Sequence, residues 1–118
     1  MNDGLPYRLI GLVWTLAVAL SPAALVASPE SRPGQELANL VLQDCGSCHG
    51  MTLKGGLGPA LRPDDLENRS VDAIAAIIRD GVPGTAMPPW KPLLAPEDIE
   101  WISQQLKAGS LVSTRVSD

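Results

Sequence analysis

The sequence predicts an all-α fold of three main helices joined by two stiff loops. Three observations point there. Apolar residues recur at helical spacing in three places, and nowhere alternate over the length of a strand. Proline and glycine gather in two stretches, Gly50 to Pro63 and Val82 to Pro92. Between the first apolar stripe and the first of these loops stands Cys45-Gly46-Ser47-Cys48-His49, which uses both cysteines and the only histidine of the 118-residue chain.

The N-terminus reads as an export signal. Arg8 and the amino terminus are positive, Leu9 to Leu20 is apolar and uncharged, and Ser21 to Ala27 is rich in small residues. The expected cut follows Ala27, giving residues 1–27 as signal peptide, although Leu25 is bulky for its place. The alternative is an uncleaved anchor, since Leu9 to Ser28 approaches spanning length; Pro22 and the Ala/Ser-rich end argue for cleavage. Membrane contact is expected only if the segment stays. The remainder, about 90 residues, makes one small domain. It has no Phe and two tryptophans, Trp90 and Trp101, so its core is thin unless a cofactor completes it.

Residues 28–34 read as a polar lead-in and 35–109 as the domain. A first helix from near Pro33 towards Asp44 carries Leu37, Leu40 and Val41 on one stripe. Gly50 to Pro63 is loop, followed by a short helical turn at Pro63 to Glu67. Ser70 caps the next helix, with Asp72 at the positive end of its dipole, Val71, Ile74, Ile77 and Ile78 on its apolar face and Gly81 at its end. Val82 to Pro92 is the second loop. The last helix starts near Pro96 with Glu97 and Asp98 in its first turn, buries Ile99, Ile102 and Leu106, and stops at Lys107 to Gly109. Residues 110–118 read as a flexible tail.

C-x-x-C-H is the pattern of covalent c-type haem attachment. Two thiols three positions apart can each add to one vinyl group of one porphyrin, so the expected cofactor is a single haem c bound through Cys45 and Cys48. A thioredoxin-like pair sits in a βαβ pattern, which is absent here. A zinc site needs four ligands, and no second Cys/His pair exists. A disulfide across so short a loop would be strained and would close almost no chain.

His49 is then the first iron ligand. The second cannot be histidine. Met51 lies too near His49 to reach the opposite face of the ring, whereas Met87 is 38 residues on, between rigid prolines, and is the expected ligand. Two alternatives stand beside it: Lys54, if its ammonium loses a proton, and an open sixth site suited to ligand binding. The other nitrogen of His49 needs an acceptor. The Pro59 carbonyl is a candidate, with Gly58 allowing the backbone to come close; Gly-Pro is also a plain turn.

Together these residues resemble the class I monohaem cytochrome c family, over roughly Gln35 to Gly109. The resemblance implies the small cytochrome c fold wrapped round one haem, with Cys45, Cys48, His49, Pro59 and Met87 in the attachment and ligand roles and Leu61 packing on the haem. The strings 45–61 and 83–90 are similar to the small periplasmic cytochromes of denitrifier nitrite-reductase gene clusters, the NirC type. That likeness implies an electron carrier, not an enzyme, with cytochrome cd1 nitrite reductase and an upstream donor as redox partners, or an accessory role in haem d1 maturation. One departure stands out. Where the family places a Gly and an aromatic, eight and four positions before the first cysteine, this chain has Leu37 and Val41, which argues against the usual tight crossing of first and last helices.

Charge adds a partner expectation. Lys54, Arg62 and Lys91 are the only charges in the two loops, while the chain as a whole is net −4. The loops then form a mostly uncharged docking face (Leu53, Leu57, Val82, Pro88) with a thin basic rim, suited to an acidic or apolar protein and not to nucleic acid. A peroxidatic or gas-binding haem protein would need a distal acid/base group, and the second loop offers neither His nor Arg.

Overall fold

The computed structural model describes residues 28–113; the export signal expected at 1–27 lies outside them, as does the end of the tail. Five helical segments follow one another: α1 (Gly34–Leu40), α2 (Gly46–His49), α3 (Val71–Asp80), α4 (Pro96–Ala108) and α5 (Ser110–Ser113). A 3₁₀ turn spans Pro63–Leu66, and the described residues contain no strand. None of the helices is long and apolar enough to cross a membrane.

The first helix does not stop at Asp44. A π-helical stretch, Val41–Cys45, joins α1 to α2, so helical backbone runs unbroken from Gly34 to His49. The wider turn takes adjacent Val41 and Leu42 both out of solvent and carries Cys45 to the margin of the core. The α3 and α4 boundaries follow local chemistry. Ser70 Oγ accepts the Ala73 N–H at 3.1 Å, and Gly81 ends α3 at φ +66°. Pro96 opens α4, and Gly109 closes it in the left-handed conformation.

The core joins Leu37 and Val41 from the first helix with Ile74 from α3 and Ile99, Ile102 and Leu106 from α4. Burial of these side chains is the main driving force. α1 and α4 are in contact despite the departure at Leu37 and Val41. A Cβ on Gly34 would lie 3.1 Å from Trp101 Cζ2, so a glycine of α1 meets an aromatic of α4. The close approach expected to be lost is made one turn earlier, with the aromatic on the other helix.

Three further features differ from the sequence reading. The lead-in is bonded into the body: buried Asp98 accepts from Ser31 Oγ at 3.1 Å, Arg32 N at 2.9 Å and Ala95 N at 3.3 Å. Arg32 also lies 3.7 Å from that carboxylate and donates to the Leu93 carbonyl at 2.9 Å. A buried carboxylate is tolerated only with such partners. The first turn of the expected tail is α5, held because Leu111 is buried against the core. Leu53, expected on an exposed docking face, is 1% exposed: φ +57° turns its side chain inward.

Candidate haem site

Helical backbone places the two sulfurs and the imidazole within α2 and the turn before it. Cys45 and Cys48 are free thiols, both half-buried. Burial, and then the charge of Asp44, pushes the Cys45 thiol up to about 11, so it stays protonated at neutral pH. Ser47 Oγ donates to the Asp44 carbonyl at 2.7 Å, tying the motif to the preceding turn.

The loop after the motif folds back on it through backbone hydrogen bonds. Gly55 N donates to the His49 carbonyl and Gly58 N to the Cys48 carbonyl, both at 2.8 Å, and Leu61 N donates to Leu53 O at 2.9 Å. This brings Pro59 O to 2.7 Å from His49 Nδ1. A carbonyl can only accept, so the proton sits on Nδ1 and the Nε2 lone pair is left free. Of the two roles open to Gly58-Pro59 in the sequence, the structure has the imidazole acceptor. Gly58 makes it possible: a Cβ there would lie 2.7 Å from His49 Cε1 and 2.8 Å from Nδ1.

Met87 sits half-buried in the Val82–Pro92 loop, whose ends are fastened to α3. Trp90 N donates to Ile78 O at 3.0 Å and Lys91 N to Arg79 O at 3.2 Å. A cavity of about 350 Å³ is lined by Asp80 and the residues from Val82 to Pro89, Met87 among them. Met51 is exposed, its sulfur against Gly46, and Lys54 is exposed too. Leu61, Ile78 and Trp90 are half-covered at the edge of the core with Cys45.

These residues fit a c-type haem. Two free sulfurs stand one turn apart, an imidazole is fixed with Nε2 available, and apolar side chains are left half-covered where a flat apolar ring would finish the burial. Sequence reasoning missed Thr85, which bonds to the Met87 backbone N–H; a hydroxyl two residues before the methionine was the only signal.

The fold and this donor set define a c-type cytochrome, and the chain belongs to that family. Residues 32–104 match the family described as cytochrome c oxidase, cbb3-type, subunit III. The chain is 45% identical to cytochrome c55X of Paracoccus denitrificans over 91 residues, 77% of this chain and 88% of that protein. It is 41% identical to cytochrome c55X of Pseudomonas aeruginosa over 102 residues, 86% of this chain and 85% of that one. Among solved structures it resembles the c-type cytochrome NirC, with a TM-score of 0.66 at 44% identity, covering 70% of this chain and 98% of that chain. It also resembles part of the dihydro-heme d1 dehydrogenase NirN in complex with DHE, with a TM-score of 0.56 at 29% identity, covering 58% of this chain and 15% of that one. The chain is a monohaem c-type cytochrome, an electron carrier and not an enzyme, and its cofactor is haem c.

Proposed function

We propose that the chain is an exported, periplasmic one-electron carrier that passes electrons to cytochrome cd1 nitrite reductase in denitrification. The observation that carries this reading is the likeness to NirC, which spans 98% of that chain at 44% identity. The haem, when bound, supplies an iron that moves one electron between ferric and ferrous states.

The chain's own residues do the rest. Cys45 and Cys48 tether the ring. His49 presents Nε2 to the iron, its orientation fixed by the Pro59 carbonyl. Met87 supplies a thioether, a soft ligand that favours ferrous iron and raises the potential. Leu61 packs on the ring. With His49 and Met87 both held by the chain, little would rearrange when an electron is gained or lost.

The docking face is Leu57, Val82 and Pro88, all exposed. Its basic rim is thinner than the loop composition suggests. Arg62 lies 3.6 Å from Asp65, and Lys91 lies 3.4 Å from Asp80. Among the described residues Lys54 is the loop cation with no ion-pair partner. Charge then sets the encounter rate, while apolar contact sets the lifetime of the complex.

The test is rapid mixing of the reduced protein with oxidised cytochrome cd1 nitrite reductase. Electrons should reach the reductase in a second-order step that slows with salt, and Lys54→Glu should slow it further. No transfer at any salt concentration removes the reading. A role in haem d1 maturation is the second reading, favoured by the likeness to part of a dihydro-heme d1 dehydrogenase. Transfer from that dehydrogenase, with none to the reductase, would select it.

A further inference from the structure

The Met87 loop is mostly exposed, so packing does little to hold it: Val82 through Ala86, Pro88 and Pro89 all face solvent. Hydrogen bonds hold it instead, two between backbone groups and two made by one side chain. Val82-Pro83-Gly84-Thr85 is a type II turn, with Pro at its second place, Gly84 at φ +78° and Thr85 N donating to Val82 O at 3.1 Å. Thr85 Oγ1 donates to the same carbonyl at 2.7 Å. That hydroxyl also accepts the Met87 N–H at 3.3 Å. Across the loop, Val82 N donates to Met87 O at 3.1 Å. Both backbone groups of Met87 are therefore satisfied inside a closed six-residue ring. Pro88, which follows, restricts Met87 to extended backbone. Only side-chain torsions remain free.

We propose that Thr85 is the positioning residue for the Met87 thioether: its hydroxyl, bonded to Val82 O and Met87 N, sets how long that sulfur stays on the iron. The proposal rests on the reading of Met87 as the second iron ligand and deepens it. A thioether is a weak ligand, so its residence depends on how little the backbone behind it moves. Without the hydroxyl, the turn keeps its backbone bond and the bond from Val82 N to Met87 O, but the Met87 N–H loses its acceptor. Thr85 touches neither iron nor porphyrin in this role; it acts through Met87.

The experiment uses the holoprotein and imidazole, which can enter only when the sulfur leaves. Thr85→Val keeps the shape and removes both side-chain hydrogen bonds. Imidazole should bind the ferric protein about fivefold to tenfold faster, as expected for loss of one or two modest hydrogen bonds. The visible spectrum before mixing should barely change, and the thermal midpoint should fall by no more than several degrees. Thr85→Ser should restore the slow rate, and Thr85→Ala, which tests for an effect of the added methyl, should match Val. Met87→Ala should abolish the slow step and the sulfur-to-iron charge-transfer band. If Met87→Ala removes the slow step and neither Thr85→Val nor Thr85→Ala speeds it, the positioning role is wrong and the ligand stands. If Met87→Ala changes neither rate nor spectrum, the ligand reading falls and takes the proposal with it.

Discussion

The two loops that carry the proposed ligand contacts are built on opposite principles. The loop after His49 is stitched to the motif itself: its backbone donates to the Cys48 and His49 carbonyls, and its Pro59 carbonyl reaches the imidazole. The loop carrying Met87 is fastened to α3 only at its base and otherwise bonds to itself. One proposed ligand is bonded to the loop that folds back on the haem motif, the other is held by a self-contained ring on an exposed loop. The difference suits the ligands. Imidazole binds iron strongly and gains from a fixed tautomer; a thioether binds weakly and depends on the backbone presenting it. The two sides should therefore fail differently when broken.

The largest effect is expected on the His49 side. In Gly58→Ala the new Cβ meets the imidazole at 2.7 Å, and nothing nearby can yield except the ring or the loop. Either response opens the His49–Pro59 hydrogen bond. We expect a loss of about 3 kcal/mol in denaturant unfolding of the holoprotein, with a lowered potential and low haem incorporation. Wild-type stability and potential in this variant would show that the close approach is dispensable.

Gly81→Ala probes the other side through its base. Gly81 sits at φ +66°, and a Cβ there would come within 2.7 Å of Met87 O and Pro89 N. Strain and clash together should cost about 2 kcal/mol. The contrast lies in where the damage appears. Imidazole entry should accelerate strongly while the His49 resonances, followed by NMR in the ferrous protein, stay in place. Equal disturbance of both ligands would mean that the loops are one mechanical unit.

How much of this was legible in the sequence follows the range of the interactions. Ser70, Gly81, Pro96 and Gly109 act on neighbouring backbone, and they set the limits of α3 and α4 as read. The haem motif was legible because it is a short string with one chemical use, whereas Gly58-Pro59 read equally as an acceptor or a plain turn until the 2.7 Å contact with His49 decided it. Leu53 was not legible. Its neighbours suggest an exposed loop, and only a left-handed backbone at a non-glycine residue turns it into the core. Asp98 read as a dipole partner in a first turn, yet it is a buried acceptor whose donors Ser31 and Arg32 lie more than 60 residues away in sequence. The π turn at Val41–Cys45 has no composition signal, because a five-residue turn uses the same residues as a helix. The meeting of Gly34 with Trp101 was hidden for a related reason: the sequence shows which positions lack the expected pair but not that another pair replaces them.

The smallest predicted effect concerns the clasp at the base of the Met87 loop. Asp80 ends α3, where a negative charge is unfavourable to the helix dipole, and its partners offset this: Arg79 at 3.0 Å and Lys91 at 3.4 Å. Those contacts, Arg79 first, hold the Asp80 carboxyl below its ordinary value of 3.8. A carboxyl lowered on folding stabilises the folded form above its unfolded pKa, and that contribution disappears as pH falls through the folded value. Asp80 is the carboxylate of the trio, so it is the member that switches in acid. Lowering pH from neutral to below the carboxylate range should free Lys91 from the base of the loop and speed imidazole entry, counted per neutral imidazole molecule, about twofold or less, since the clasp is solvent-exposed. Asp80→Asn should give the faster rate already at neutral pH, and the ratio of variant to wild-type rates should fall to unity in acid or in high salt. The ratio, not the wild-type rate alone, is decisive, because other carboxyls also titrate. A ratio of one at neutral pH and low salt would leave the loop base held by its backbone bonds to Ile78 and Arg79, with the charges incidental.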